Sequence, residues 1–84
     1  MEDIKLIIGT NLKNIRKKRQ LTLEMLSKLT NVSTSMLGEI ERGITNPTIT
    51  VLWKIADGLK SPFTDLINEE KLTELLEGKE KKLL

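Results

Sequence analysis

Four residues between positions 22 and 43 limit what this chain can become. Thr22 and Ser33 are hydroxyl residues standing just before short amphipathic runs, where helix N-caps belong. Asn31 tolerates a left-handed turn and Gly43 takes one freely, so each ends the run before it. The spacing predicts a helix from Leu23 to about Leu29, a break of three or four residues at Thr30-Asn31, and a second short helix from Ser33 to Gly43. Val32, just before the Ser33 cap, is placed to staple the second helix.

That second helix has two faces. Leu37 and Ile40, three apart, can enter a core. Thr34, Ser35, Gly38 and Glu39 fall on the other side and are small or polar. A solvent-facing helix normally carries long charged side chains, so these short ones imply that something approaches its backbone. In the first helix of the pair Leu23 and Leu26 point inward, with Met25 and Leu29 beside them, and Glu24, Ser27 and Lys28 are polar. Helix, tight turn, helix is the helix-turn-helix pattern.

The flanking segments are helical too. Residues 3–19 repeat Ile4, Ile8, Leu12 and Ile15 on one face, flanked by Leu6 and Ile7. Gly9 interrupts that face at about 1 kcal/mol against Ala, predicting a weak or bent point. Arg16-Lys17-Lys18-Arg19 closes this helix, where cations complement its dipole or meet an anion. After the turn-rich 44–47 loop, Thr48 caps a helix from Ile49 to about Asp57, ended by Gly58. Leu52, Ile55 and Ala56 face inward, and Val51 and Trp53 broaden that apolar surface, so Trp53 is read as core. Ser61-Pro62 then predicts an N-cap and first helical residue, with Phe63, Leu66 and Ile67 inward. Asn68 can cap a tail helix with Leu72, Leu75 and Leu76 as a narrow stripe, fading after about residue 77. No strand pattern survives, so the domain is expected to be all-α.

Composition removes most other functions. With no His and no Cys among 84 residues, there is no thiolate metal site, no disulfide framework and none of the commonest general base. No Gly-rich phosphate loop or carboxylate pair in a cleft suggests catalysis, so neither an enzyme nor a cofactor is expected. The net charge of +2 hides an asymmetry. Lys5, Lys13 and residues 16–19 make the front basic, and Asp65, Glu69, Glu70, Glu74, Glu77 and Glu80 make the end acidic. A basic front suits a polyanion. No signal-peptide core is present, and no apolar run approaches the roughly 20 residues that cross a bilayer, so a cytoplasmic domain without membrane contact is expected.

The runs Leu21-Thr22-Leu23-Glu24-Met25-Leu26-Ser27, Val32 to Leu37, Ile40-Glu41-Arg42-Gly43, Asn46-Pro47-Thr48 and Leu52-Trp53-Lys54-Ile55-Ala56 resemble the Cro/phage-repressor type (Xre-like) helix-turn-helix regulators. Within them the chain looks most like those that join this domain to a C-terminal cupin sensor, and no cupin follows here. The resemblance implies a compact five-helix, lambda-repressor-like domain over 1–67, with a motif core at 12–66 and the helix-turn-helix at 22–41. The acidic, Leu-bearing tail, 68–84, is then a dimerisation helix or the seat of a sensor domain or partner protein outside this chain.

It further implies a sequence-specific regulator of double-stranded DNA, a repressor binding a palindromic operator as a homodimer. An antitoxin-type interaction module whose tail binds a partner protein is the alternative. In such domains the second helix of the motif enters the major groove. Thr34, Ser35, Met36, Gly38 and Glu39 match its base-facing positions, and Thr22, Leu23, Ser33, Arg42, Thr45, Asn46 and Thr48 match phosphate contacts. Arg16 and Glu41 match a structural ion pair, and Leu66, Ile67, Leu72, Leu75 and Leu76 are the dimerisation candidates. Each has a plainer alternative: Glu39 a solvated side chain, Gly38 close helix packing, Met36 core rim, Arg42 a helix C-terminal cation. The chain departs from the family in carrying Gln20 where Gly is common, Leu23 where Gln often touches phosphate, and no Arg, Lys or Gln on the reading face.

Overall fold

Local chemistry starts four of the five helices in the computed structural model, which describes residues 3–68. Asp3 caps α1 (Ile4–Lys18), Thr22 caps α2 (Leu23–Thr30), Ser33 caps α3 (Thr34–Glu41) and Thr48 caps α4 (Ile49–Leu59), each side-chain oxygen accepting from a first-turn N–H. Such caps contribute about 1 kcal/mol apiece. A last short helix, α5 (Thr64–Ile67), has no side-chain cap bond. No strand occurs among the described residues, and no helix there is long and apolar enough to cross a membrane.

The helix ends are equally specified. Leu21 N–H reaches Arg16 O and Gln20 N–H reaches Lys17 O, both at 3.0 Å, a Schellman closure of α1 with Gln20 at φ 59°. The same closure ends α3, where Gly43 takes φ 74°, and α4, where Lys60 takes φ 56°. Asn31 ends α2 at φ 63°.

One core joins all five helices. Ile8, Leu12 and Ile15 of α1 meet Leu26, Val32, Leu37, Ile40, Leu52, Ile55, Ala56, Leu59 and Leu66, with Leu21, Leu23, Met36, Val51, Phe63 and Ile67 packed around them. Helix α2 packs on α3 and α4, and α1 on α3 and α5.

Several expectations change in three dimensions. Gly9 marks contact, not weakness: a Cβ there would strike the carbonyls of Ile40 and Glu41, the latter at 2.9 Å. Gly58 lies inside α4, not at its end, because a Cβ would strike the backbone of Leu29 and Thr30. Ile4 is exposed and Ile7 is buried in its stead. Met25 and Leu29 are exposed on α2. Trp53 is 56% exposed, because the inward arc of α4 is filled by Leu52, Ile55, Ala56 and Leu59. It stacks on Phe63 with centroids 4.7 Å apart and planes at 22°. Ser61 does not cap α5, since its hydroxyl accepts from Arg19 Nη2 at 2.8 Å.

Candidate nucleic-acid interface

The turn between α2 and α3 is built from Thr30 outward. Its buried hydroxyl donates to Leu26 O at 2.8 Å and accepts from Val32 N–H at 3.3 Å, while Asn31 N–H reaches Ser27 O at 2.7 Å. Buried Val32, Leu37 and Ile40 then seat α3.

At the other end of α3, Arg16 grips Glu41 with two bonds, Nε–Oε2 at 2.7 Å and Nη2–Oε1 at 3.0 Å, and donates a third from Nη1 to Leu21 O at 2.9 Å. The two side chains are 14% and 6% exposed. Hydrogen bonding to Glu41 raises the Arg16 pKa above its ordinary value, against an opposing effect of burial. Arg16 is thus a strut between α1, the start of the α2 segment and α3, with its fork occupied. Arg19 is occupied too, donating to Leu59 O and Ser61 Oγ. Half of the 16–19 cluster therefore ties helices together, and Lys17 and Lys18 remain as exposed cations.

On the outer face Thr34 and Ser35 are exposed, with Ser33 beside them as the cap. Met36 is half-buried at the core rim. Gly38, matched to the base-facing set, is buried beneath neighbouring side chains. A Cβ on it would lie 3.3 Å from Arg42 Nη1 and 3.8 Å from Leu23 Cδ1, so these side chains cover it. Helical spacing puts Ser35, Glu39 and Arg42 at i, i+4 and i+7, one outward stripe. Arg42 follows the last helical residue, and its guanidinium leans back over Gly38. The outward stripe of α3 therefore carries a cation, supplied from beyond the helix. A Gly four residues before an Arg was the signal for it.

Glu39 is half-buried and accepts from Thr45 Oγ1 at 2.9 Å, a bond that sequence spacing did not indicate. Among the other phosphate candidates, Thr22, Thr48, Asn46 and Arg42 are exposed, and Leu23 is half-buried against the core. Glu24, Ser27, Lys28 and Thr34 line a shallow hollow between α2 and α3. Leu66 is fully buried in its own domain and so is withdrawn from any dimer surface. Ile67 is half-buried against the same core, and Leu72, Leu75 and Leu76 lie outside the described residues.

A short helix seated by its apolar face, stapled at its start by a tight turn and at its end by an ion pair, defines a helix-turn-helix protein. Residues 12–66 match the HTH_3 family, described as helix-turn-helix, and the chain belongs to it. It is 44% identical over 68 residues to the HTH-type transcriptional regulator SutR of Escherichia coli K12, covering 81% of this chain and 38% of SutR. To the immunity repressor protein of Bacillus phage phi105 it is 37% identical, covering 77% of this chain and 45% of the repressor. It spans less than half the length of either relative. Among solved structures, an HTH_3 family transcriptional regulator from Vibrio cholerae superposes with a TM-score of 0.76 at 48% identity, covering 82% of this chain and 39% of that one. The restriction-modification controller protein C.AhdI of Aeromonas hydrophila does so at 0.71 and 27% identity, covering 74% of this chain and 94% of that one. The fold is the all-α, lambda-repressor-like one expected from the resemblance.

Proposed function

We propose that this chain is the DNA-binding module of a transcriptional regulator, with α3 entering the major groove of double-stranded DNA. The observation that carries the reading is the capped, exposed first turn of α3, with Thr34 and Ser35 outward while Leu37 and Ile40 are wholly buried. Small polar side chains on a rigidly seated helix suit close approach to base edges. The N-termini of α2 and α4 supply free N–H groups for phosphates on either side. Arg42 supplies a cation between them.

The module is assigned to residues 1–67 and the tail to 68–84. Support for including α5 in the module comes from Asn11, whose Nδ2 donates to Leu66 O at 2.8 Å, tying α5 to α1. Repression is the favoured direction, following the likeness to the phi105 immunity repressor. The base-facing set is small, so a second copy is assigned to the complex, held through Leu72, Leu75 and Leu76. Two half-sites about 34 Å apart are then required.

Selection of bound sites from random duplex DNA, with the mass of the free protein measured in parallel, tests this. A two-fold symmetric site one helical turn between halves, and a dimer lost on truncation at Asn68, are expected. No enriched sequence would refute the DNA-reading role, and a dimer surviving truncation would refute the tail as its seat.

A further inference from the structure

We infer that Thr45 is a positioning residue that fixes the Glu39 carboxylate so that its second oxygen reads one base amine, that of cytosine, in the major groove. The inference rests on the DNA-binding reading above.

Glu39 is gripped twice by the segment that follows Gly43. The Ile44 N–H donates to its main-chain carbonyl at 3.0 Å, and the Thr45 hydroxyl donates to Oε1 at 2.9 Å. The first bond fixes where the side chain starts, and the second ties its far end to the loop through Oε1, which narrows its rotamers before any ligand arrives. Oε1 is engaged and Oε2 is left open.

No described cation is paired with Glu39. It lies on the outward stripe with Ser35 and Arg42, so its charge faces the phosphates whenever α3 enters a groove. An uncompensated carboxylate there weakens every complex. The open Oε2 is left for a donor on the DNA, and the major groove offers two, the N4 amine of cytosine and the N6 amine of adenine. Adenine places the N7 acceptor beside its amine, where it repels a carboxylate, whereas cytosine has no acceptor there. Guanine and thymine offer acceptors only. One free oxygen of fixed direction therefore selects cytosine and penalises the rest.

The competing role for Thr45 is a direct phosphate contact, and the two roles separate cleanly. Binding-site selection and salt titrations are run on wild-type protein and on T45V, T45S and E39Q. Wild type is expected to prefer cytosine at one position by about tenfold, the scale of one good hydrogen bond to a base. T45V loses that preference with an unchanged salt slope, and T45S restores it. E39Q gives a readout that needs no change at Thr45. The hydroxyl then donates to the amide oxygen and turns the NH2 toward the groove, so the preferred base switches from cytosine to guanine or thymine. A T45V protein that keeps the cytosine preference overturns the inference. So does one that weakens equally on all sequences with a slope changed by about one. An E39Q protein that still prefers cytosine overturns it as well. Wild-type protein with no preferred sequence instead overturns DNA reading itself.

Discussion

Gly9 of α1 sits against the carbonyl oxygen of Ile40 on α3, with the Glu41 carbonyl beside it, and leaves no room for a methyl group. In an exposed helix, Gly→Ala gains about 1 kcal/mol. Here the sign reverses, because the obstacle is backbone and α1 and α3 must separate. Gly9→Ala is expected to cost about 2 kcal/mol or more. Gly38→Ala provides the contrast, since its nearest neighbour is the movable end of Arg42 at 3.3 Å. It is expected to leave stability unchanged or raise it by up to about 1 kcal/mol. Urea unfolding of both variants checks the pair, and equal effects would contradict it.

The Arg16–Glu41 pair is expected to behave as a partly buried fork. Glu41→Gln or Arg16→Met should each cost about 3 kcal/mol, as one charge is left without its partner, and the double variant should cost less than the sum. Because the Arg16 pKa is raised in the folded state, its contribution is complete below the ordinary arginine value and is lost only as pH rises above it. The Arg16 ionisation itself therefore gives no change in stability across neutral pH. Melting temperatures of the single and double variants measure the coupling, and additive effects would show that the pair contributes nothing of its own.

Arg42→Ala should weaken duplex binding and reduce the salt slope by about one, if its exposed guanidinium meets a phosphate. An equal slope with altered base preference would move it to the base-reading set. Fluorescence anisotropy at several salt concentrations distinguishes the two.

Trp53→Ala should cost about 1 kcal/mol, well under the roughly 3–5 of a buried Trp, because the ring is 56% exposed and keeps only its stack on Phe63. Chemical denaturation of the variant measures this, and a loss in the buried range would contradict the exposed placement.

What the residue pattern revealed was whatever is decided within a few positions. The caps at Thr22, Ser33 and Thr48, the turn at Asn31 and the inward pair Leu37 and Ile40 are all local, so the chain announces them. Gly9 and Gly58 were misread because their reason lies on another helix, at Ile40 and Leu29. Trp53 was misread because a large apolar residue on an apolar helix looks buried until the neighbouring helices have chosen their side. The partner of Arg19 is 40 positions away. The Arg16–Glu41 pair, 25 apart, came only from family resemblance. On the outward face of α3, Glu39 was visible as a carboxylate, but its hold by Thr45 depends on how the loop after Gly43 returns over α3.

Thr22, Ser33 and Thr48 each accept an N–H from their own helix through a hydroxyl. A hydroxyl that accepts still has its proton to give, and a phosphate oxygen can only receive. In the complex proposed above, each of these caps would serve the helix and a phosphate at once, with opposite ends of the same O–H group. Aspartate caps a helix as well as threonine does but brings a negative charge and no proton. Asp in place of Thr22, Ser33 or Thr48 thus separates two properties that one atom now joins, keeping the start of the helix while setting a negative charge against any phosphate that approaches it.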